Sequence, residues 1–338
     1  PALIGPVVGP PIGGFITTYF DWRWIFWMNV PIGLLGLVVA SRFLQEMPPE
    51  PVQRLDVRGF LFSALGLSSL VFGFTIIGRD FLPLYGQVLL IGLGAVCLAL
   101  YVRHAATAKN PIIDLKLLRI PTFRAGVEGG SFYRIGVGAI PFLMPLMFQL
   151  GFGLTAFQSG LLSCWAAAGA IAMKFSASAL LRCFGFRQLL IVNGVVSCLL
   201  MACYGLLSEA TPFVLISLLL LVGGFLRSLQ FTAMNALTYS DIDRGDTSNA
   251  TTFYAVAQQF SLSAGVAVAA LVLEAVQAWR GEPVIASDDF SMAFFIVSGI
   301  AMTCVFYFAR LDANAGSSVI TRRRASAPER VVEGPVEL

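Results

Sequence analysis

Ten runs of mostly apolar residues divide this chain, at 1–20, 24–44, 57–78, 83–103, 125–151, 157–180, 188–207, 211–234, 248–275 and 290–310. A helix needs about 20 such residues to cross the hydrocarbon core of a bilayer. No water reaches that core to satisfy a bare amide, so the backbone of each run must bond within itself. Composition agrees: 57% of residues are hydrophobic, 12% are charged and the mean hydropathy is +0.81. A soluble domain carries roughly twice that share of charge. The sequence therefore predicts an all-α, polytopic membrane helical bundle with about ten transmembrane helices, multi-pass in a lipid bilayer.

Charge placement orients the bundle. If the first run ends outside, at the Asp21–Arg23 turn, the inside loops hold Arg42, Arg54, Arg58, Arg103, Lys109, Lys116, Arg119, Arg124, Arg182, Arg187, Arg244 and the tail. The outside loops then hold only Arg23, Arg79 and Arg280. Cytoplasmic loops carry the excess of Lys and Arg, so the C-terminus is expected in the cytoplasm. After Arg310 the chain turns polar, and its Arg322-Arg323-Arg324 tail is too poor in apolar residues to order itself.

Several functions lack their signatures. The six cysteines are scattered without a C-x-x-C and the one histidine is His104, so neither a metal site nor a disulfide framework is expected. No phosphate-binding G-x-x-x-x-G-K-[ST], nucleophile elbow, H-E-x-x-H or dinucleotide fingerprint occurs. The expectation is a protein that is not an enzyme, needs no cofactor and has no nucleic-acid partner.

The first two runs read PALIGPVVGPPIGGFITTYFDWRWIFWMNVPIG. Gly5, Gly9 and Gly13 recur every four residues on one helix face, with Gly14 beside them, while Pro6, Pro10 and Pro11 remove backbone donors and bend the helix. In lipid a glycine face lets a second helix approach closely. The full pattern, G-P-x-x-G-P-x-x-G-G, a polar turn, then W-R-W-x-F-x-x-N-x-P-x-G, resembles the antiporter motif of the fifth span of major facilitator superfamily drug:proton antiporters, continuing into the sixth. Arg54-Leu55-Asp56-Val57-Arg58-Gly59 and Asn110-Pro111-Ile112-Ile113-Asp114-Leu115 resemble the flanks of two extra spans in fourteen-span antiporters of the EmrB/QacA type. Leu181-Arg182-Cys183-Phe184-Gly185-Phe186-Arg187 is similar to the second copy of the superfamily's cytoplasmic loop motif, without its acidic residue, and marks Arg182, Gly185 and Arg187 as a conformational loop. Gln258 to Ala267 resembles a segment of the penultimate span.

The resemblance implies an organisation. Residues 1–44 would be the last two helices of the N-terminal transporter half and 45–124 two extra linker spans with cytoplasmic loops. Residues 125–310 would form the C-terminal six-helix half and 311–338 a disordered cytoplasmic tail. It also implies that the chain is a fragment lacking the first four spans.

Charges inside spans are costly and are functional candidates by default. Glu128, Arg134, Lys174 and Arg227 fall in the cytoplasmic half of the expected C-terminal domain. Glu128 and Arg134, six apart, lie on different faces of one helix, so their partners are expected on other helices. Glu128 is the candidate for titration, with the cations holding or releasing it between inward-open and outward-open states; the alternative is a static ion-pair network, or Lys and Arg stems reaching the interface. Gln149, Gln230, Asn235, Gln258 and Gln259 are candidates for a substrate cavity, or for interhelical hydrogen bonds.

These readings converge on a secondary active transporter. The resemblance implies proton-coupled multidrug or amphiphile efflux by alternating access, in the bacterial inner (plasma) membrane. Its implied partners are a small hydrophobic or amphiphilic substrate, protons and a candidate periplasmic adaptor protein. Proton-coupled transport of an endogenous metabolite, and a non-transporting sensor, scaffold or truncated remnant, are the alternatives.

Overall fold

The structure is a computed structural model and describes residues 4–43, 56–76, 82–108, 114–281, 287–312 and 315–316. It is helical, with no strand among the described residues. In chain order the helices are α1 (Ile4–Tyr19), α2 (Trp24–Phe43), α3 (Val57–Thr75), α4 (Leu84–Thr107), α5 (Pro121–Leu146), α6 (Ala156–Phe184), α7 (Phe186–Tyr204), α8 (Phe213–Thr238), α9 (Thr247–Arg280), α10 (Ser287–Met302) and α11 (Cys304–Ala309). Eight helical stretches among the described residues are long and apolar enough to cross a membrane. Of the ten expected runs, the first forms only the 16-residue α1, and the third is a shorter apolar helix over Val57–Gly73.

Local chemistry moves several boundaries. Pro121 at the first turn presets the helical φ and starts α5 four residues before the apolar run. Gly281, at φ +70°, closes α9 with its N–H on the Gln277 carbonyl, so that helix runs past 275 to Arg280. The stretch expected as a loop between 104 and 124 is partly helical: α4 continues to Thr107, and Asp114 caps a 3-10 turn at Leu115–Arg119 by accepting from Lys116 N at 2.9 Å. Pro141 and Pro145 strip donors from the end of α5, which passes into a π turn at Met147–Gly151.

Helices α5 to α11 form one packed body. The ring pairs Tyr204–Phe294 and Phe132–Tyr307 sit within it, and Phe290, Phe294 and Phe308 are fully buried. α5 lies along α9, α6 along α8, and α10 wedges between α5, α7 and α9. α3 and α4 pair with each other, and α3 touches α9. A second cluster, including Tyr101, Leu117, Phe123 and Phe253, joins α4 and the 3-10 turn to α5 and α9. α2 has no buried residue. The tail beyond 316, including Arg322 to Arg324, lies outside the described residues.

α1 runs along α6, and the glycines that make this crossing differ from those the spacing singled out. A Cβ on Gly14 would strike the Ala156 carbonyl, and one on Gly160 of α6 would strike the Pro10 carbonyl. Nothing lies within 4 Å of where a Cβ on Gly5, Gly9 or Gly13 would stand. The expected row of three therefore faces open space, and the neighbouring face with Pro10, Pro11 and Gly14 packs against α6. Thr18 Oγ1 reinforces the crossing by accepting from Phe157 N at 3.1 Å.

Candidate functional site

A cavity of about 380 Å³ opens between α1, α5, α6, α8 and the end of α7. Small residues leave this space: Ala166, Ala167 and Ala170 line it from α6, and Pro10 closes it from α1. Ile140, Pro141, Met144 and Pro145 form the α5 wall, where two prolines keep the helix from packing as a straight rod. Ser163, Tyr204 and Arg227 are its polar members. Arg227, expected in the inner half of its helix, stands just past the middle turn of α8 and lines this wall, and no acid pairs with it among the described residues.

Arg134 stands one and a half to two turns toward the N-terminal end of α5 from the cavity wall and is fully buried. Its guanidinium carbon lies 4.5 Å from the Tyr254 ring centre and 6.0 Å from that of Phe231. Its three side-chain nitrogens are buried and make no hydrogen bond among the described residues. Gly130 makes room for it, since a Cβ there would come 2.8 Å from Nη1. Phe231 lies one turn after Arg227 and also meets the Tyr133 ring at 6.0 Å. Lys174 is exposed on α6 and donates to Thr232 Oγ1 across to α8 at 3.4 Å.

Glu128 differs from its expectation. Its partner is on its own helix: Arg124 Nε reaches Glu128 Oε1 at 2.9 Å, one turn away, because residues four apart share a helix face. The pair borders an open depression of about 180 Å³ with Tyr307 and Arg310.

The polar candidates separate. Gln230 is fully buried as a bridge between α7 and α8, accepting from Asn193 Nδ2 at 2.7 Å and donating to the Leu190 carbonyl at 3.1 Å; it does not line the cavity. Asn235 is exposed and accepts from Tyr254 OH at 2.8 Å. Gln149 is exposed on the π turn, and Gln258 and Gln259 are half-buried and exposed on α9; none of these lines the cavity. Of the loop residues, Gly185 takes φ +70° and turns the chain from α6 into α7. Arg187 Nη2 donates to the Ala309 carbonyl at 2.8 Å, setting a cation on the C-terminal end of α11. The side chains of Pro6 and Arg182 lie outside the described residues.

Two buried pairs escaped the sequence reading. Arg280 Nη1 meets the buried Asp289 Oδ1 at 3.0 Å, joining the ends of α9 and α10. His104 Nε2 lies 2.8 Å from Asp56 Oδ1, which also accepts from Gly59 N at the start of α3. Asn193 was legible in principle, as an amide inside an apolar run needs a partner. The two carboxylate pairs gave no signal, because their members are far apart in sequence or sit at run ends.

The sequence profile of the Major Facilitator Superfamily matches residues 2–266. The chain belongs to this superfamily. Relatives carrying the provisional name multidrug resistance protein MdtD include one from Escherichia coli O139:H28 (strain E24377A / ETEC), 30% identical over 336 residues, which covers 97% of this chain and 70% of the relative. Another, from Pectobacterium carotovorum subsp. carotovorum (strain PC1), is 32% identical over 273 residues, 81% of this chain and 58% of the relative. The chain is thus a multi-pass membrane transporter of the major facilitator superfamily, and its cavity lies where five of its helices meet.

Proposed function

We propose that the protein exports small hydrophobic or amphiphilic compounds by proton antiport, as a drug:proton antiporter of the EmrB/QacA type in the bacterial inner membrane with its C-terminus in the cytoplasm. The observation that carries this reading is the cavity between α1, α5, α6, α7 and α8, apolar over most of its wall with Ser163, Tyr204 and Arg227 set into it. Such a wall takes an apolar body, while a few convergent polar groups orient it. In this reading residues 1–44 belong to one rocking half, 125–310 to the other, and 45–124 supply the two extra spans. The α1–α6 crossing is the contact about which the halves move.

Glu128 is the proposed proton carrier, held by Arg124 at the edge of an open depression from which a proton can exchange with water. The names of the relatives support multidrug export as the class of activity. The test is uptake of dansylaminoundecanoate into inside-out vesicles containing the protein. Uptake that needs a proton gradient and collapses with an uncoupler is expected. Uptake equal to that of protein-free vesicles would overturn the proposal.

A further inference from the structure

The walls of the cavity carry an excess of positive charge, with nothing of opposite sign to meet it among the described residues. α1, α6, α7 and α8 contain no Asp or Glu, and α5 contains one, Glu128, which pairs with Arg124 on its first turns. Against these stand Arg227 in the cavity wall and Arg134 buried a short way below it. No carboxylate pairs with either among the described residues, and the three side-chain nitrogens of Arg134 are buried without a hydrogen bond there. A guanidinium at bilayer depth costs roughly 3 kcal/mol or more even after relaxation. Ring contacts such as those of Arg134 with Tyr254 and Phe231 return about 2 kcal/mol when desolvated. The rings therefore do not offset the whole cost, and around Arg227 the cavity offers only a serine, a tyrosine and hydrocarbon.

We propose that the cavity is a binding site for organic anions, taking a carboxylate or sulfonate head on Arg227, with Arg134 as the deeper cation, and an apolar tail against Pro141, Met144 and Pro145. This rests on the transport reading above and narrows its substrate class. A quaternary ammonium of the same tail would set its charge beside Arg227 in a low-dielectric wall, where like charges repel strongly. The site thus selects by sign of charge as well as by hydrophobicity. An anionic lipid carries the same chemistry as a soluble anion, and the two sources are separable.

The test uses the protein in phosphatidylcholine vesicles with two dansyl probes of equal chain length, dansylaminoundecanoate and its trimethylammonium counterpart, each corrected by protein-free vesicles. The anion is expected to bind roughly tenfold or more tightly than the cation, as for a desolvated charge pair. In Arg227→Gln that preference falls to within about threefold, and in Arg227→Lys part of it returns. Arg134→Gln tests the deeper cation but risks misfolding, so the wild-type preference and the Arg227 variants decide. Equal or tighter binding of the cation, or a preference unchanged in Arg227→Gln, overturns the proposal. Phosphatidylglycerol that displaces the anionic probe assigns the site to lipid anions, and failure to displace assigns it to soluble ones. Gradient-driven uptake of the cation without anion preference would sink this inference and leave the transport reading standing. Selective anion binding without uptake of either probe would do the reverse.

Discussion

Replacing Gly160 with valine separates α1 from α6, whereas the same change at Gly9 does not. A Cβ at Gly160 would stand 2.9 Å from the Pro10 carbonyl carbon and 3.2 Å from Pro11 Cα. Carbon atoms in contact prefer about 3.5–4.0 Å, and the atoms in the way are backbone, which no rotamer change removes. The helices must part by roughly 0.5–1 Å, and a gap of that size forfeits a quarter to a half of each surrounding contact. With overpacking strain the cost is about 1–3 kcal/mol. Gly9 has nothing within 4 Å of its Cβ site, so Gly9→Val leaves the crossing unchanged. The assay is disulfide trapping between cysteines placed at Thr18 and Phe157, whose hydroxyl and amide already meet across the crossing. A loss of about 2 kcal/mol lowers the docked-to-undocked ratio about thirtyfold, so Gly160→Val should give little trapped product and Gly9→Val the full yield. Equal trapping in both variants, or a larger loss in Gly9→Val, would refute the assignment of the packed face.

Arg280→Gln leaves the buried Asp289 without its guanidinium and should cost about 3 kcal/mol in denaturant unfolding, most of it recovered in the double variant with Asp289→Asn. Gln230→Leu removes the α7–α8 bridge and should cost about 1 kcal/mol, with the choice between anionic and cationic probes unchanged. Asp56→Ala takes away both the α3 cap and the His104 contact, and should destabilise the α3–α4 pair by about 1–2 kcal/mol, seen as faster amide exchange at the start of α3. Glu128→Gln should leave binding of dansylaminoundecanoate within about twofold and abolish gradient-driven uptake; unchanged uptake would remove Glu128 from the coupling.

The helices were legible because a run of apolar residues has one way to satisfy its backbone in lipid. Their partners were less so. The four-residue spacing of Gly5, Gly9 and Gly13 identified a face but not its occupant, and the crossing uses Gly14 because Pro10 and Pro11 present the backbone that Gly160 accepts. Spacing also misled at Glu128: the relation to Arg134, six residues away, drew attention from Arg124, four away and on the same face. Gln230, expected at a substrate cavity, bridges to α7, whereas Arg227, three residues before it and about 60° around the same helix, meets the cavity. Only the neighbours of each face distinguish a structural amide from a binding cation.

The most direct test of the account is the lumenal pH of inside-out vesicles containing the protein and a trapped pH-sensitive dye. Acid-loaded at the start, they should alkalinise when dansylaminoundecanoate is added outside, because each entering amphiphile exchanges for an outgoing proton, and the response should be absent in Glu128→Gln. Uptake of the amphiphile with no change in lumenal pH would contradict proton antiport.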